Sequence, residues 1–230
     1  MSEWVKLKAS DGQELSAYVA RPQGEVKAAL VVIQEIFGVN AHIRSVADGY
    51  AKDGFLAIAP ALFDRFEPRV ELSYEGEAQK RAFELYGKLD VNVALKDVAA
   101  AFHYAKKSER AVGVVGYCFG GLMAWISATR GEVEKMQPEA AVGYYAGGIG
   151  KFAAEEPTCP VMLHFGEEDS HIGNDQIEAV RSAHPEVTIY TYPGAGHAFN
   201  RDVAPAAYHA PSAKLARERS LAFLTKNLIG

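Results

Sequence analysis

Ala111-Val112-Gly113-Val114-Val115-Gly116-Tyr117-Cys118-Phe119-Gly120-Gly121 is the stretch whose reading decides the fold. Its first five residues are apolar or glycine, without polar alternation. That pattern suits a strand covered on both faces, as in a parallel sheet. A helical pattern opens near Leu122 and runs to Thr129. The turn between them forces its central residue into an unfavourable backbone conformation and lifts that side chain above the sheet. Glycines two residues before and after Cys118 remove Cβ atoms where strand and helix crowd together. The start of the helix aims its free amides at the same place. The plain reading makes Cys118 a small buried hydrophobe. Its position in the turn makes it a candidate nucleophile. A free thiol titrates at about 8.5, so it needs help to become thiolate at neutral pH. The helix terminus and a nearby imidazolium would both supply that help.

The same alternation extends in both directions. Val5 to Lys8 and Leu15 to Ala20 flank the turn dipeptide Asp11-Gly12 and read as an antiparallel hairpin. Ala29 to Ile33, Phe55 to Ala59, Ala140 to Tyr145, Val161 to Phe165 and Val187 to Thr191 repeat the apolar strand pattern. Helical patterns fall at Ala41 to Lys52, Tyr74 to Leu89, Val91 to Lys106, Gln176 to Ser182 and Ser212 to Leu228. Strand–helix alternation implies right-handed crossovers and a mostly parallel, twisted sheet with helices on both faces. Asp64 to Ser73 has no clear period and reads as a surface excursion near the sheet's carboxyl edge.

Composition bounds the function. The 230 residues fit one α/β domain, residues 1–230, on a prior of about 150 residues per domain. A net charge of −5 argues against nucleic acid as partner. The longest apolar run, Ala28 to Ile33, is far short of a membrane span. The opening Met-Ser-Glu-Trp-Val-Lys has no apolar signal region. Two cysteines are a poor disulfide framework, so reduced thiols in a cytoplasm are the simpler expectation. A monomer is expected.

A thiol nucleophile needs a base, and the base needs an orienting acid. Gly194-Ala-Gly-His197-Ala-Phe199 follows the last strand, and its small residues allow His197 to reach the turn. Asp169 follows Val161 to Phe165, with Glu167 and Glu168 as neighbouring alternatives. The chain order is nucleophile, acid, histidine, as in α/β-hydrolases. His171 is the rival base but follows the wrong strand. His42, His103 and His209 fall in helix patterns, and His164 lies within a strand as a core histidine would. In such a fold one oxyanion amide belongs to the residue after the nucleophile, Phe119, and the other to the loop after the first core strand, which nominates Ile36. Glu35 is out of place beside a buried strand unless it has a partner. It either pairs with an arginine, Arg201 or Arg44, or touches Cys118 and disfavours the thiolate at rest.

Gln34-Glu35-Ile36-Phe37-Gly38-Val39-Asn40, Gly116-Tyr-Cys118-Phe-Gly-Gly121, Ala141-Val-Gly-Tyr-Tyr145 and Ala195-Gly-His197-Ala-Phe199 resemble dienelactone hydrolases, or carboxymethylenebutenolidases. The resemblance runs across nearly the whole chain. It implies an α/β-hydrolase fold and a Cys118–His197–Asp169 triad. It also implies opening of an enol-lactone without cofactor or metal, as in aromatic-compound breakdown. Glu35 matches the residue that activates the thiol when substrate binds. Arg201 matches an arginine that holds a substrate carboxylate, so a carboxylate-bearing lactone or ester is the implied small-molecule partner. This chain departs from the family at a second carboxylate-binding arginine and a tyrosine, where it has Gln79 and Phe83. Arg81 lies close by, but on another helix face. An esterase or thioesterase on the same triad, or a non-catalytic binding protein of the same fold, are the other readings.

Overall fold

The computed structural model describes residues 1–107 and 111–230. Within these residues eight strands form one sheet: β1 Ser2–Lys8, β2 Glu14–Ala20, β3 Ala28–Ile33, β4 Phe55–Pro60, β5 Val112–Tyr117, β6 Ala141–Tyr144, β7 Val161–Gly166 and β8 Thr188–Tyr192. Their spatial order is β1-β2-β4-β3-β5-β6-β7-β8. The pairs β1/β2 and β2/β4 are antiparallel, and every pairing from β4 through β3 to β8 is parallel. The α/β-hydrolase architecture expected from the sequence is therefore present. The hairpin turns at Gly12, whose φ of +89° favours glycine.

Strands β3 to β7 are buried at every position, which is why each reads as an unbroken apolar run. Each fully buried Leu, Val or Ile among them contributes about 1.5–3 kcal/mol relative to exposure. The last strand departs from the expected pattern. β8 is half-exposed over Thr188 to Thr191, because it is the sheet's edge and has a neighbour on one side only.

Among the described residues six α-helices accompany the sheet: α1 Ala41–Lys52, α2 Gly76–Tyr86, α3 Val91–Lys106, α4 Phe119–Arg130, α5 Asn174–Ala183 and α6 Ala210–Leu228. Helices α3 and α4 pack on each other over one face. On the other, Arg217 of α6 bonds Asp53 at the end of α1 and stacks 3.9 Å over the Tyr50 ring. Asn40 caps α1 through its side chain and Asp90 caps α3. Among the described residues no helix is long and apolar enough to cross a membrane.

The stretch Asp64 to Ser73 is more than a surface excursion. A 3-10 turn at Leu62–Arg65 leads into it, and Phe63, Val70 and Leu85 form a small core of their own. The Leu72 amide donates to the Phe37 carbonyl at 2.9 Å. The segment is thereby stitched to the loop after β3, and it sets the start of α2 above the carboxyl edge of the sheet. Hydrophobic periodicity could not reveal this, because the contacts join irregular backbone to irregular backbone.

Candidate active site

Strand β5 stops at Tyr117 and α4 begins at Phe119, so a single residue makes the whole turn. That residue, Cys118, has φ 54° and ψ −116°. A non-glycine residue in this region is strained and persists only where its surroundings enforce it. They do so here. The Cys118 amide donates to the Tyr144 carbonyl at 3.0 Å. A Cβ on Gly116 would lie 1.9 Å from the Gly120 carbonyl oxygen, and one on Gly120 would lie 2.2 Å from that of Ile33. The helix comes so close to the strands that only glycine fits.

His197 enters from the loop after β8. Its Nε2 lies 3.3 Å from the Cys118 Sγ, and its Nδ1–H donates to Asp169 Oδ2 at 2.7 Å. The other Asp169 oxygen accepts the amides of His171 and Ile172 at 2.8 and 3.2 Å. Burial pushes Asp169 up, but His197 and these two amides outweigh it and hold the carboxyl below its usual value. For His197, burial favours the neutral ring, yet the bonds to Asp169 and Cys118 prevail and raise its pKa to about 10. The neighbouring acids are not in this network. Glu167 accepts from the Thr191 hydroxyl, and both Glu167 and Glu168 are exposed.

The other histidines find different places. His171 sets its ring edge-on to His197 at 5.1 Å, beside the contacts that join Cys118, His197 and Asp169 rather than among them. His164 is fully buried between Tyr192 and Ser220 at 2.8 and 2.9 Å, and desolvation lowers its pKa to about 3. His42 is buried against Asp202 at 3.1 Å.

The cleft above Cys118 has a volume of about 400 Å³. A larger hollow of about 650 Å³ lies among Arg21, Lys27 and Gly54, at the amino ends of β3 and β4. Sheets of this kind bind ligands at the other end of their strands, where Cys118 sits. Ile36 and Phe119 both line the smaller cleft. Phe119 is the first residue of α4, so its amide has no carbonyl one turn back.

Glu35 is completely buried and ion-paired with Arg201, Nη2 to Oε1 at 2.8 Å and Nε to Oε2 at 3.2 Å. Arg44, the other candidate, bonds Glu71 instead. The Arg201 guanidinium also lies 4.0 Å over the Tyr74 ring and 5.2 Å from that of Phe37. Tyr145 closes the apolar run that the sequence shows at Ala140 to Tyr145. It is fully buried, has φ 37°, and braces His197 ring to ring at 5.1 Å. Tyr86 had no signal beyond its spacing from Phe83, yet it reaches Phe119 at 5.3 Å between ring centres. Among the described residues no group of three His, Cys, Asp or Glu side chains could hold a metal ion.

A strained residue closing a parallel strand, met by a histidine from the final strand's loop with an acid between them in chain order, defines an α/β-hydrolase. The sequence profile of the Dienelactone hydrolase family matches residues 15–228, nearly the whole chain. This chain belongs to that family, and it is a hydrolase of ester or lactone bonds. It is 33% identical to a carboxymethylenebutenolidase of Pseudomonas putida over 233 residues, covering 97% of this chain and 96% of that one. It is 28% identical to carboxymethylenebutenolidase 1 of Cupriavidus pinatubonensis, covering 89% of each. Among solved structures, a Klebsiella pneumoniae protein assigned as a dienelactone hydrolase superposes with a TM-score of 0.82. The two are 30% identical, over 98% of this chain and 99% of that one. A dienelactone hydrolase-like promiscuous phosphotriesterase from metagenomic libraries shares the fold, with a TM-score of 0.76 at 18% identity over 99% of each chain.

Proposed function

We propose that this chain opens an enol-lactone, of the type its carboxymethylenebutenolidase relatives are named for, through a Cys118–His197–Asp169 triad and a thioester intermediate. The Cys118 thiolate attacks the lactone carbonyl carbon. The oxyanion that forms is held by the amides of Ile36 and Phe119, each contributing about 3 kcal/mol to the transition state. The ring C–O bond then breaks and an enolate departs, taking its proton from the His197 imidazolium. Water attacks the thioester, giving its proton to His197, and the thiolate leaves as the product acid forms. Asp169 keeps the imidazole in the tautomer that presents Nε2 to sulfur. Arg201 is the cation available to a substrate carboxylate, which would take the place of Glu35. Glu35, so released, would draw the proton from the thiol. In this reading the enzyme works as a single-domain cytoplasmic monomer in the breakdown of aromatic compounds.

The observation that carries the reading is the relay of short contacts, 3.3 Å from Sγ to Nε2 and 2.7 Å from Nδ1 to Oδ2. Its test is turnover of cis- and trans-dienelactone and of p-nitrophenyl acetate, with the acyl adduct sought on Cys118 by mass spectrometry after acid quench. Cys118→Ala should lose at least a thousandfold in kcat and form no adduct. Full activity in that variant rejects the mechanism. Faster turnover of thioesters than of either lactone would favour a thioesterase on the same triad.

A further inference from the structure

Helix α2 has two apolar faces, and the fold uses only one. Ala82 and Leu85 are buried in the interior. Phe83 and Tyr86, three residues apart and so neighbours on the helix surface, stand 55% and 37% exposed. Single exposed apolar side chains need no explanation. These two share one face with Gln79, one turn before Phe83, and all three line the cleft over Cys118. Tyr86 packs edge-on against Phe119, the residue that follows the nucleophile, so the apolar wall extends to the reacting centre.

The wall is also uncharged. Arg201 is the one Lys, Arg, Asp or Glu among the described residues that line the cleft, and Glu35 already spans its guanidinium. Arg81, between Gln79 and Phe83 in sequence, turns away to Glu67 and Glu84 at 2.6 and 3.0 Å. A carboxylate placed against Gln79, Phe83 and Tyr86 would lose water and find no lysine or arginine on that wall to replace it. A hydrocarbon group placed there would cover two aromatic rings.

We infer that the substrate carries an uncharged alkyl or aryl group where it packs against Gln79, Phe83 and Tyr86, so that this wall selects apolar-substituted lactones or esters. The inference rests on the hydrolytic reading above and names the substrate class for it. Arg201 can still hold a carboxylate elsewhere on the same molecule where that group takes the place of Glu35.

Two measurements test it in the purified protein. The first is kcat/KM for the acetate, butyrate and hexanoate esters of p-nitrophenol, and for the 5-methylhexanoate and monoglutarate esters. The last two match in shape but end in an isopropyl group or a carboxylate. The value should rise about twofold to fourfold per methylene. The 5-methylhexanoate ester should exceed the monoglutarate at least tenfold. Phe83→Arg should lower that ratio at least tenfold, and a ratio taken within one variant cancels any general loss of activity. A flat or falling series, a monoglutarate ester that equals its partner, or a ratio unmoved by Phe83→Arg overturns the inference.

The second measurement reads the wall without hydrolysis. It is the rate at which N-ethyl-, N-butyl- and N-hexylmaleimide modify Cys118, located by mass spectrometry. Rates that climb with chain length, and level off in Phe83→Ser, support the inference. Level rates in the unmodified chain overturn it even if every ester is hydrolysed. If the maleimide rates climb while no ester is turned over, the wall stands and the hydrolytic reading falls.

Discussion

Glu35 and Arg201, 166 residues apart in sequence, form a two-bonded ion pair in the floor of the cleft, with Glu35 fully buried and Arg201 nearly so. The pair joins the loop after β3, which carries the Ile36 amide, to the loop after β8, which carries His197. Two charges out of water are tolerable only while each satisfies the other.

Removing one partner should therefore be costly. Glu35→Gln should lower stability by about 3–5 kcal/mol, read from urea unfolding, because it leaves the Arg201 guanidinium buried and unpaired. The double variant Glu35→Gln/Arg201→Met should recover more than half of that loss. If Glu35 also restrains the thiol, alkylation of Cys118 by iodoacetamide should quicken in Glu35→Ala. An unchanged rate would leave Glu35 with a structural role only.

Asp169→Asn should keep the fold and lower kcat by about 10⁴, as loss of the equivalent acid does in serine triads. Its effect on stability depends on pH. His197 is raised from 6.5 to about 10, so its contribution is complete below pH 6.5 and lost as pH climbs to about 10. Asp169 is held below 3.8, so its contribution is present above that value and lost on further acidification. The gap in Tm between the parent chain and Asp169→Asn should be widest between pH 3.8 and 6.5 and close toward pH 10. A gap that widens over that alkaline range would contradict the pairing.

His164 makes the opposite demand. It is held neutral in the core, with its pKa lowered to about 3, whereas the unfolded chain takes up the proton near 6.5. Between those values the unfolded state binds one more proton, so stability should fall by about 1.4 kcal/mol per pH unit as the solution is acidified. His164→Gln should make the pH dependence of unfolding free energy shallower by one proton across this window. An identical slope in both proteins would mean that the ring titrates in the native state.

Gly120→Ala tests the close approach that strains Cys118. The added methyl would sit 2.2 Å from the Ile33 carbonyl oxygen and 2.6 Å from that of Gln34, so helix or strand must move. A loss of about 1–3 kcal/mol is expected, toward the upper end because the clash is with backbone, which gives way less readily than a side chain. Turnover per folded molecule should fall as well, because the same displacement shifts the Phe119 amide. Substitution of Gly147, which has open space around its missing Cβ, serves as the control and should cost little stability.

The elbow around Cys118 and the buried strands were legible along the chain. Both arise from constraints that act within a few residues. A strand covered on both faces must be apolar throughout, and a one-residue reversal needs glycine wherever backbones touch. The order of Cys118, Asp169 and His197 was legible for a related reason, because each follows the carboxyl end of a strand. Asp169 was the acid preferred along the chain, but three adjacent carboxylates look alike in sequence, and only the tertiary structure shows Asp169 aimed at His197 while Glu167 and Glu168 stay exposed. That Glu35 pairs with Arg201 rather than Arg44, the apolar wall of α2 and the anchoring of residues 64–73 emerged only in three dimensions. Each depends on loops from distant strands converging at one edge of a twisted sheet, and that convergence is set by the packing of the whole sheet.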